Sequence, residues 1–158
     1  MGREIFAYII HKEGVPDDSA LELLSAALQI DPKAPATAVV AGSGSSLTAV
    51  CSELVRSYDR VWKIDQENLG YPNAAVIGFL LERVLPKGEI VLIPHEHFGM
   101  DLAPGLSVRL ESAFLSDVIA FESIEEDRLL AVREEYNGMV RTHVAGNISK
   151  GCVMTIRS

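Results

Sequence analysis

Four short apolar runs alternate with four segments of helical periodicity, and this alternation restricts the possible folds of the chain more than any other feature. The apolar runs have the length of buried strands; they cover residues 4–10, 36–41, 60–64 and 89–93. Parallel neighbouring strands need crossover connections, and intervening helices supply them. The pattern therefore predicts an α/β fold, with a parallel sheet covered by helices on both faces.

The predicted helices have sequence signals for their starts and their apolar faces. Ser19 and Glu22 have the spacing of a capping box at the start of the first helix. Asp101 is the predicted N-cap of the fourth helix, which places Pro104 in a first turn that tolerates proline. The apolar face predicted for the first helix consists of Leu21, Leu24 and Leu28.

After residue 116 the alternation ends and the chain reads as four successive strands. These predicted strands cover residues 117–121, 129–135, 139–144 and 152–157. Asn137-Gly138 between two of them is a strong hairpin signal. We therefore expect C-terminal antiparallel hairpin strands attached to the parallel sheet.

Composition limits the functional classes. The chain has 158 residues, of which 48% are hydrophobic, enough for one compact domain with a real core. Its net charge of −8 disfavours a nucleic-acid partner. No run has the length or flanks of a signal peptide or membrane span, so we expect a cytoplasmic protein without a membrane partner.

Cys51 and Cys152 form no CxxC pair, and we expect buried, reduced thiols.

A glycine-serine turn follows the second predicted strand and leads into a helix. Gly42, Ser43 and Gly44 could hold an anion at that helix N-terminus. The third glycine of a dinucleotide fingerprint is missing, because Leu47 stands in its place, and Asp65 is only close to the acidic position. A plain turn with serine capping is the alternative interpretation.

Three histidines follow predicted strands at the carboxyl edge of the sheet, where doubly wound folds bind ligands. They are His11 after the first strand, and His95 and His97 after the fourth. If the first and fourth strands are neighbours, the three lie near each other and near Glu96. Exposed loop histidines, a ligand or partner contact, and a metal site all remain open. No catalytic constellation is legible, so we do not expect an enzyme.

The segment at residues 99–110 carries the most distinctive motif. It reads GMDLAPGLSVRL and is followed by Ser116-Asp117-Val118. This pattern resembles the N-terminal domain of the electron-transfer flavoprotein alpha subunit, in which a glycine precedes Asp-Leu-Ala-Pro, and Arg-Leu and Asp-Val follow. Arg133, Tyr136, Gly138 and residues 145–147 and 153–157 also stand where that subunit places its last strands.

The resemblance implies an adenine-nucleotide-hydrolase-like, Rossmann-like fold that acts as a scaffold. In that family FAD is held mainly by a second alpha domain, and nothing resembling it follows Arg157. We therefore expect this single domain, residues 1–158, not to hold flavin tightly alone. The sequence departs from the family at residues 94–98 and at Gly105, where arginine is usual. These departures affect any standard contact at the loop before Gly99.

These observations lead to two main functional hypotheses, and a small metal-dependent enzyme that uses His11, His95 and His97 is a third. The first is a scaffold or interaction domain that takes part in flavin-based electron transfer with an electron-transfer flavoprotein beta subunit or a separate flavin domain. The second is a stand-alone adenine-nucleotide-binding domain, with AMP as a ligand. A homodimer through the apolar segment 71–85 or through an exposed sheet edge is the expected association without a beta subunit. The candidate cofactor-binding residues are His11, Gly42, Ser43, Gly44, His95, His97 and Gly99.

Overall fold

A computed structural model describes residues 2–158, which form an eight-stranded sheet, a two-stranded hairpin and four α-helices. The strands are β1 (Ile5–Tyr8), β2 (His11–Lys12), β3 (Val15–Pro16), β4 (Ala36–Gly42), β5 (Arg60–Asp65), β6 (Ile90–Pro94), β7 (Ala113–Glu125), β8 (Arg128–Glu135), β9 (Val140–Asn147) and β10 (Cys152–Ile156). The helices are α1 (Ser19–Ile30), α2 (Gly44–Leu54), α3 (Ala74–Val84) and α4 (His97–Arg109), with a 3-10 helix at Glu67–Leu69. The sheet order is β5-β4-β1-β6-β10-β7-β8-β9, and β2 pairs with β3.

The predicted parallel sheet with helices on both faces is confirmed. Strand β1 lies between β4 and β6 and runs parallel to both, with Ile5 aligned to Ala36 on one side and Ile90 on the other. Helices α1 and α2 cover one face, and α3 and α4 cover the opposite face. Strands covered on both faces are apolar throughout, and all seven residues of β4 are buried accordingly.

Helix α1 buries a different face from the predicted one. Leu21 and Leu28 are 63% and 51% exposed, so the prediction that these leucines line the core is wrong. The buried residues are Ala20, Leu23, Ala26, Ala27 and Ile30. The small alanines allow the helix to approach the sheet closely. A helix with two apolar stripes does not reveal by periodicity alone which one faces the sheet.

The start of α1 also lacks the predicted capping box. Ser19 is the first residue of the helix rather than its cap, and the preceding Asp18 makes no side-chain capping bond. The backbone N–H of Ser19 instead donates to Asp17 Oδ2 at 3.0 Å. The Ser19 hydroxyl oxygen is enclosed without a hydrogen-bond partner among the described residues.

Helix α4 begins five residues earlier than predicted. Glu96 is its N-cap, and the Glu96 carboxylate accepts a hydrogen bond of 2.6 Å from the backbone N–H of Gly99. Asp101 is an exposed residue within the helix, and Pro104 lies in its interior rather than its first turn. The prediction failed because glutamate is a less typical N-cap than aspartate.

Helix α3 has the surplus of apolar surface expected for segment 71–85. Asn73 caps its start, because its side-chain oxygen accepts hydrogen bonds from the backbone N–H groups of residues 75 and 76 in the first turn. Ile77 and Leu81 face the core. The exposed apolar side chains are Val76, Phe79 and Val84. No helix within residues 2–158 is long and apolar enough to cross a membrane.

The last strand does not belong to the antiparallel extension. Strand β10 is inserted between β6 and β7 and runs parallel to both, with Cys152 aligned to Ile90 and to Ala113. All of its residues are buried. The expected antiparallel hairpin strands are confirmed for β7, β8 and β9. The final segment instead completes the parallel sheet.

Strand β7 links the two parts of the sheet. Its first half pairs with β10 in parallel, and the pairing is irregular where Met154 and Ile156 face β7. From Val118 onward it pairs with β8 in the antiparallel sense. Between these halves Asp117 adopts a φ of +59°, a backbone conformation uncommon for a residue other than glycine. The strand thus changes partners at Asp117.

Both cysteines are free thiols. Cys152 is fully buried in β10, and burial raises the pKa of its thiol to about 12. Cys51 on α2 is only half-buried, and the prediction of a buried thiol was too strong for this residue. Its pKa is also raised, mainly by desolvation.

Candidate functional site

A cleft of about 520 Å³ lies at the carboxyl edge of the sheet, where β1 and β4 end. Strand order reverses around β1, because the chain places β4 on one side of it and β6 on the other. Open α/β sheets bind ligands outside the carboxyl ends of their strands at such a point. The volume of the cleft is within the range of small-molecule sites. This cleft is therefore the candidate functional site.

The glycine-serine turn forms one side of the cleft. Gly42 and Ser43 line it, whereas Gly44 begins helix α2 with a φ of +73°. A Cβ atom on Gly42 would lie 3.1 Å from Cε1 of His11, so the absence of a side chain keeps the imidazole in place. Ser43 is the N-cap of α2, but its side chain makes no capping hydrogen bond. The predicted serine capping is therefore absent.

A carboxylate of the chain itself occupies the N-terminus of α2. The backbone N–H of Gly44 donates to Asp65 Oδ1 at 3.3 Å. Free amides and the positive end of the dipole make a helix N-terminus an anion site. Here Asp65 already supplies a negative charge. In the sequence, Asp65 stands close to the acidic position of a dinucleotide fingerprint.

His11 contributes a defined hydrogen-bond acceptor to the cleft. Its Nε2 atom lies 2.6 Å from the carbonyl oxygen of Ala41. A carbonyl only accepts, so Nε2 carries the proton and donates. In the neutral imidazole the Nδ1 atom is then an acceptor. His11 lines the cleft, so the structure places this candidate residue at the site.

Tyr8 and Phe98 form an aromatic wall that sequence analysis did not identify. Their rings stack with centroids 5.9 Å apart at an angle of 23°, and both line the cleft. Burial, with a smaller contribution from Glu96, raises the pKa of the Tyr8 phenol, so it remains protonated. The only signal available was the position of each residue at the end of an apolar strand or just after it.

The Tyr8 hydroxyl has no hydrogen-bond partner within residues 2–158, although Tyr8 is only 5% exposed. The enclosed side-chain atoms without partners belong to Arg3, Ser19 and Arg133. Since the Tyr8 hydroxyl is not one of these enclosed atoms, it retains access to solvent. A buried tyrosine hydroxyl usually finds a partner, so this one is available to a ligand in the cleft.

The other two histidines do not line the cleft. His95 Nδ1 lies 3.0 Å from Thr155 Oγ1, on the side of the sheet edge formed by β10. His97 is the exposed first residue of α4. Residues 2–158 contain no group of three His, Cys, Asp or Glu side chains arranged to hold a metal ion. The three histidines thus do not form the ligand set considered from the sequence.

His95 instead belongs to a polar network at the end of β10. The backbone N–H of Asp117 donates to Thr155 Oγ1 at 2.8 Å, and Thr155 is 1% exposed. The buried hydroxyl needs an acceptor for its own proton, and His95 Nδ1 is its partner. The imidazole proton is then on Nε2, which lies 3.7 Å from Asp117 Oδ1.

Asp117 is held as an anion by Arg157. The guanidinium donates from Nε and Nη2 to the two carboxylate oxygens at 2.5 and 2.8 Å, a bidentate geometry. These hydrogen bonds are the main cause that lowers the pKa of Asp117; the charges of Arg157 and the nearby Arg133 add to the effect. The Asp-Val part of the sequence motif therefore fixes the point where β7 changes partners.

Gly99 has a structural reason to be glycine. A Cβ atom at this position would lie 1.9 Å from the carbonyl oxygen of Pro94 and 3.0 Å from Cγ2 of Ile93. Helix α4 therefore approaches the end of β6 so closely that no side chain fits. Gly99 was a candidate cofactor-binding residue, but the described contacts place it against the protein backbone outside the cleft lining.

The fold defines a domain of the Rossmann-like α/β class. The chain matches the family described as electron transfer flavoprotein domain over residues 5–158. It belongs to that family. The match does not distinguish alpha from beta subunits. No curated protein matches the chain.

Membership assigns the chain to proteins that act in flavin-based electron transfer as carriers rather than enzymes, and whose complexes bind FAD. The cleft fits only part of FAD. Its aromatic and apolar walls suit a planar ring, whereas Asp65 occupies the helix amide that would receive a diphosphate oxygen. Lys12 is the only lysine or arginine in the cleft lining, beside the acidic Glu13. The residues of this cleft therefore do not fit the whole cofactor.

Proposed function

We propose that this chain is the N-terminal domain of an alpha-type electron-transfer flavoprotein subunit and serves as a scaffold for flavin-based electron transfer. The observation that carries this proposal is the role of the alpha-type motif in the fold. Gly99 lets α4 pack against the end of β6, and Asp117 ties β7 to Arg157 beyond β10. The motif thus organises the centre of the sheet and supplies no catalytic group.

Two exposed apolar surfaces support a role in association. The turn between β8 and β9 presents Tyr136 and Met139, which are 76% and 85% exposed, followed by Val140. The second surface is the outer face of α3, formed by Val76, Phe79 and Val84. Large exposed apolar patches often mark interaction sites. The proposed partner is a beta subunit or a separate FAD-carrying domain.

Co-elution with a beta subunit in size-exclusion chromatography tests this proposal. We expect a heterodimer, and we expect Met139→Glu or Phe79→Glu to weaken it, since either places a charge in an apolar surface. Leu21→Glu is the matched control, because Leu21 is also exposed but lies on α1 across the sheet from α3. Separate elution of the wild-type proteins at tens of micromolar would contradict the proposal.

Without a beta subunit, we propose that the same surfaces pair two copies in a homodimer. Edge strand β9 ends the sheet and adds an open edge within the described residues. Sedimentation equilibrium of the chain alone should give twice its mass of 17.2 kDa. Detection of the monomer mass alone at tens of micromolar would overturn this.

The proposed setting is the cytoplasm, where Cys51 and Cys152 would stay reduced.

The cleft supports a second candidate function, binding of an adenine compound such as AMP by the isolated domain. The unpartnered Tyr8 hydroxyl in a ligand-sized cleft favours it. Thermal unfolding with AMP, ATP, adenosine, NADH and FAD tests this candidate, since a ligand that binds only the folded state raises the Tm. An unchanged Tm with all five compounds at millimolar concentration would remove it.

A further inference from the structure

The cleft contains a hydrogen-bond donor and a hydrogen-bond acceptor in apolar surroundings. The Tyr8 hydroxyl is unpartnered and protonated, and in the neutral imidazole of His11 the Nδ1 atom is an acceptor, because Nε2 donates to the carbonyl oxygen of Ala41. Apolar side chains cover other parts of the lining; they include Leu69, Pro72, Ile77 and Phe98. Such a lining recognises a flat ring by its edge and covers its faces.

One backbone amide of the helix N-terminus beside the cleft already has a carboxylate partner. Asp65 accepts from the Gly44 N–H, and a phosphate at that position would have to displace or face this carboxylate. Glu13 adds a second carboxylate to the rim, against the single ammonium group of Lys12. Like charges at close range disfavour binding, so the cleft is unsuited to a phosphorylated ligand.

From these observations we infer that the cleft binds a neutral planar nitrogen heterocycle, a nucleobase or nucleoside, and disfavours its phosphorylated form. The ring accepts a hydrogen bond from Tyr8 and donates one to His11, as a ring nitrogen beside an exocyclic amino group can do. The inference rests on the second candidate function, which it narrows from adenine nucleotides to their unphosphorylated counterparts. The scaffold proposal does not depend on it.

Isothermal titration of the whole chain with adenosine and AMP, at low ionic strength, tests the inference. We expect adenosine to bind several-fold more tightly than AMP. Tyr8→Phe removes one neutral hydrogen bond and should weaken adenosine binding about two- to tenfold. Tyr136→Phe is the matched control and should leave binding unchanged, because Tyr136 is exposed on the distant β8–β9 turn.

The exposed carboxylate at residue 65 provides an independent variant that does not disturb the core. Asp65→Asn should improve AMP binding relative to adenosine, whereas Asp101→Asn, which removes an exposed charge on α4, should leave their ratio unchanged. Adenosine binding that is insensitive to Tyr8→Phe, together with an AMP-to-adenosine ratio that Asp65→Asn leaves unchanged, would place the ligand elsewhere and overturn the inference.

Two further outcomes separate this inference from the function on which it rests. Tighter binding of AMP than of adenosine to the wild-type chain would overturn the inference and leave the nucleotide-binding candidate standing. Absence of binding for adenosine, AMP, ATP, NADH and FAD alike would overturn both. Neither outcome affects the co-elution test of the scaffold proposal.

Discussion

The interior strand β4 and the edge strand β9 belong to one sheet but are buried very differently. All seven residues of β4 are buried between two layers of helices, whereas Gly146 is the only buried residue of β9. The parallel part of the sheet holds most of the core, and the antiparallel extension contributes buried residues chiefly from β8, such as Leu129 and Ala131. The first part stabilises the domain, and the second provides surface.

Truncating an apolar side chain in each part should give the largest contrast in stability. Leu92 in β6 is fully buried, so Leu92→Ala leaves a cavity and should lower the free energy of unfolding by about 2–5 kcal/mol. Val140 in β9 is 45% exposed, and Val140→Ala should change it by about 0.5 kcal/mol or less. Urea unfolding measures both; equal losses would show that the two regions contribute alike.

Two glycines of the same helix should respond in opposite directions. Gly99→Ala forces a Cβ into the carbonyl of Pro94 and should cost about 1–3 kcal/mol or more. Gly105→Ala meets no atom within 4 Å and should stabilise α4 by about 0.5–1 kcal/mol. Thermal unfolding compares the variants, and a Gly99→Ala protein as stable as wild type would refute the close approach of α4 to β6.

A smaller, pH-dependent effect should come from Asp117, at the boundary between the two regions. Its pKa is lowered in the folded state, mainly by Arg157, from an ordinary value of about 4. The unfolded chain therefore takes up a proton first, so the stabilisation is complete above about pH 4 to 5 and is lost as the pH falls through the folded-state pKa. Asparagine tolerates the positive φ of this position.

Urea unfolding of Asp117→Asn at pH 7 and pH 3 measures that contribution. We expect the variant to lose less stability than the wild type between these pH values, because it lacks the titrating carboxylate. Asp101→Asn serves as the control and should follow the wild type, since Asp101 is exposed on α4. An identical loss in Asp117→Asn and wild type would contradict the importance of the Arg157 pair.

The candidate site was predictable only in part. The Gly42-Ser43 turn and His11 follow strands, so their place at the carboxyl edge could be read from the chain, and the structure brings them into one cleft. Tyr8 was missed because an aromatic residue within an apolar run reads as core, and Phe98 because it follows the polar residues 95–97 outside the predicted strand. His95 was assigned to the same edge but turns toward Thr155, a contact that depends on where β10 enters the sheet.

The sequence by itself determined the alternation of strands and helices, the parallel sheet and the hairpins, because these follow from local periodicity and turn residues. Only the tertiary structure decided which face of α1 is buried and that β10 lies between β6 and β7. Both depend on contacts between distant segments, such as Cys152 with Ile90 and Ala113. Local patterns show that a segment is apolar, but the packing of the whole domain selects the neighbour that covers it.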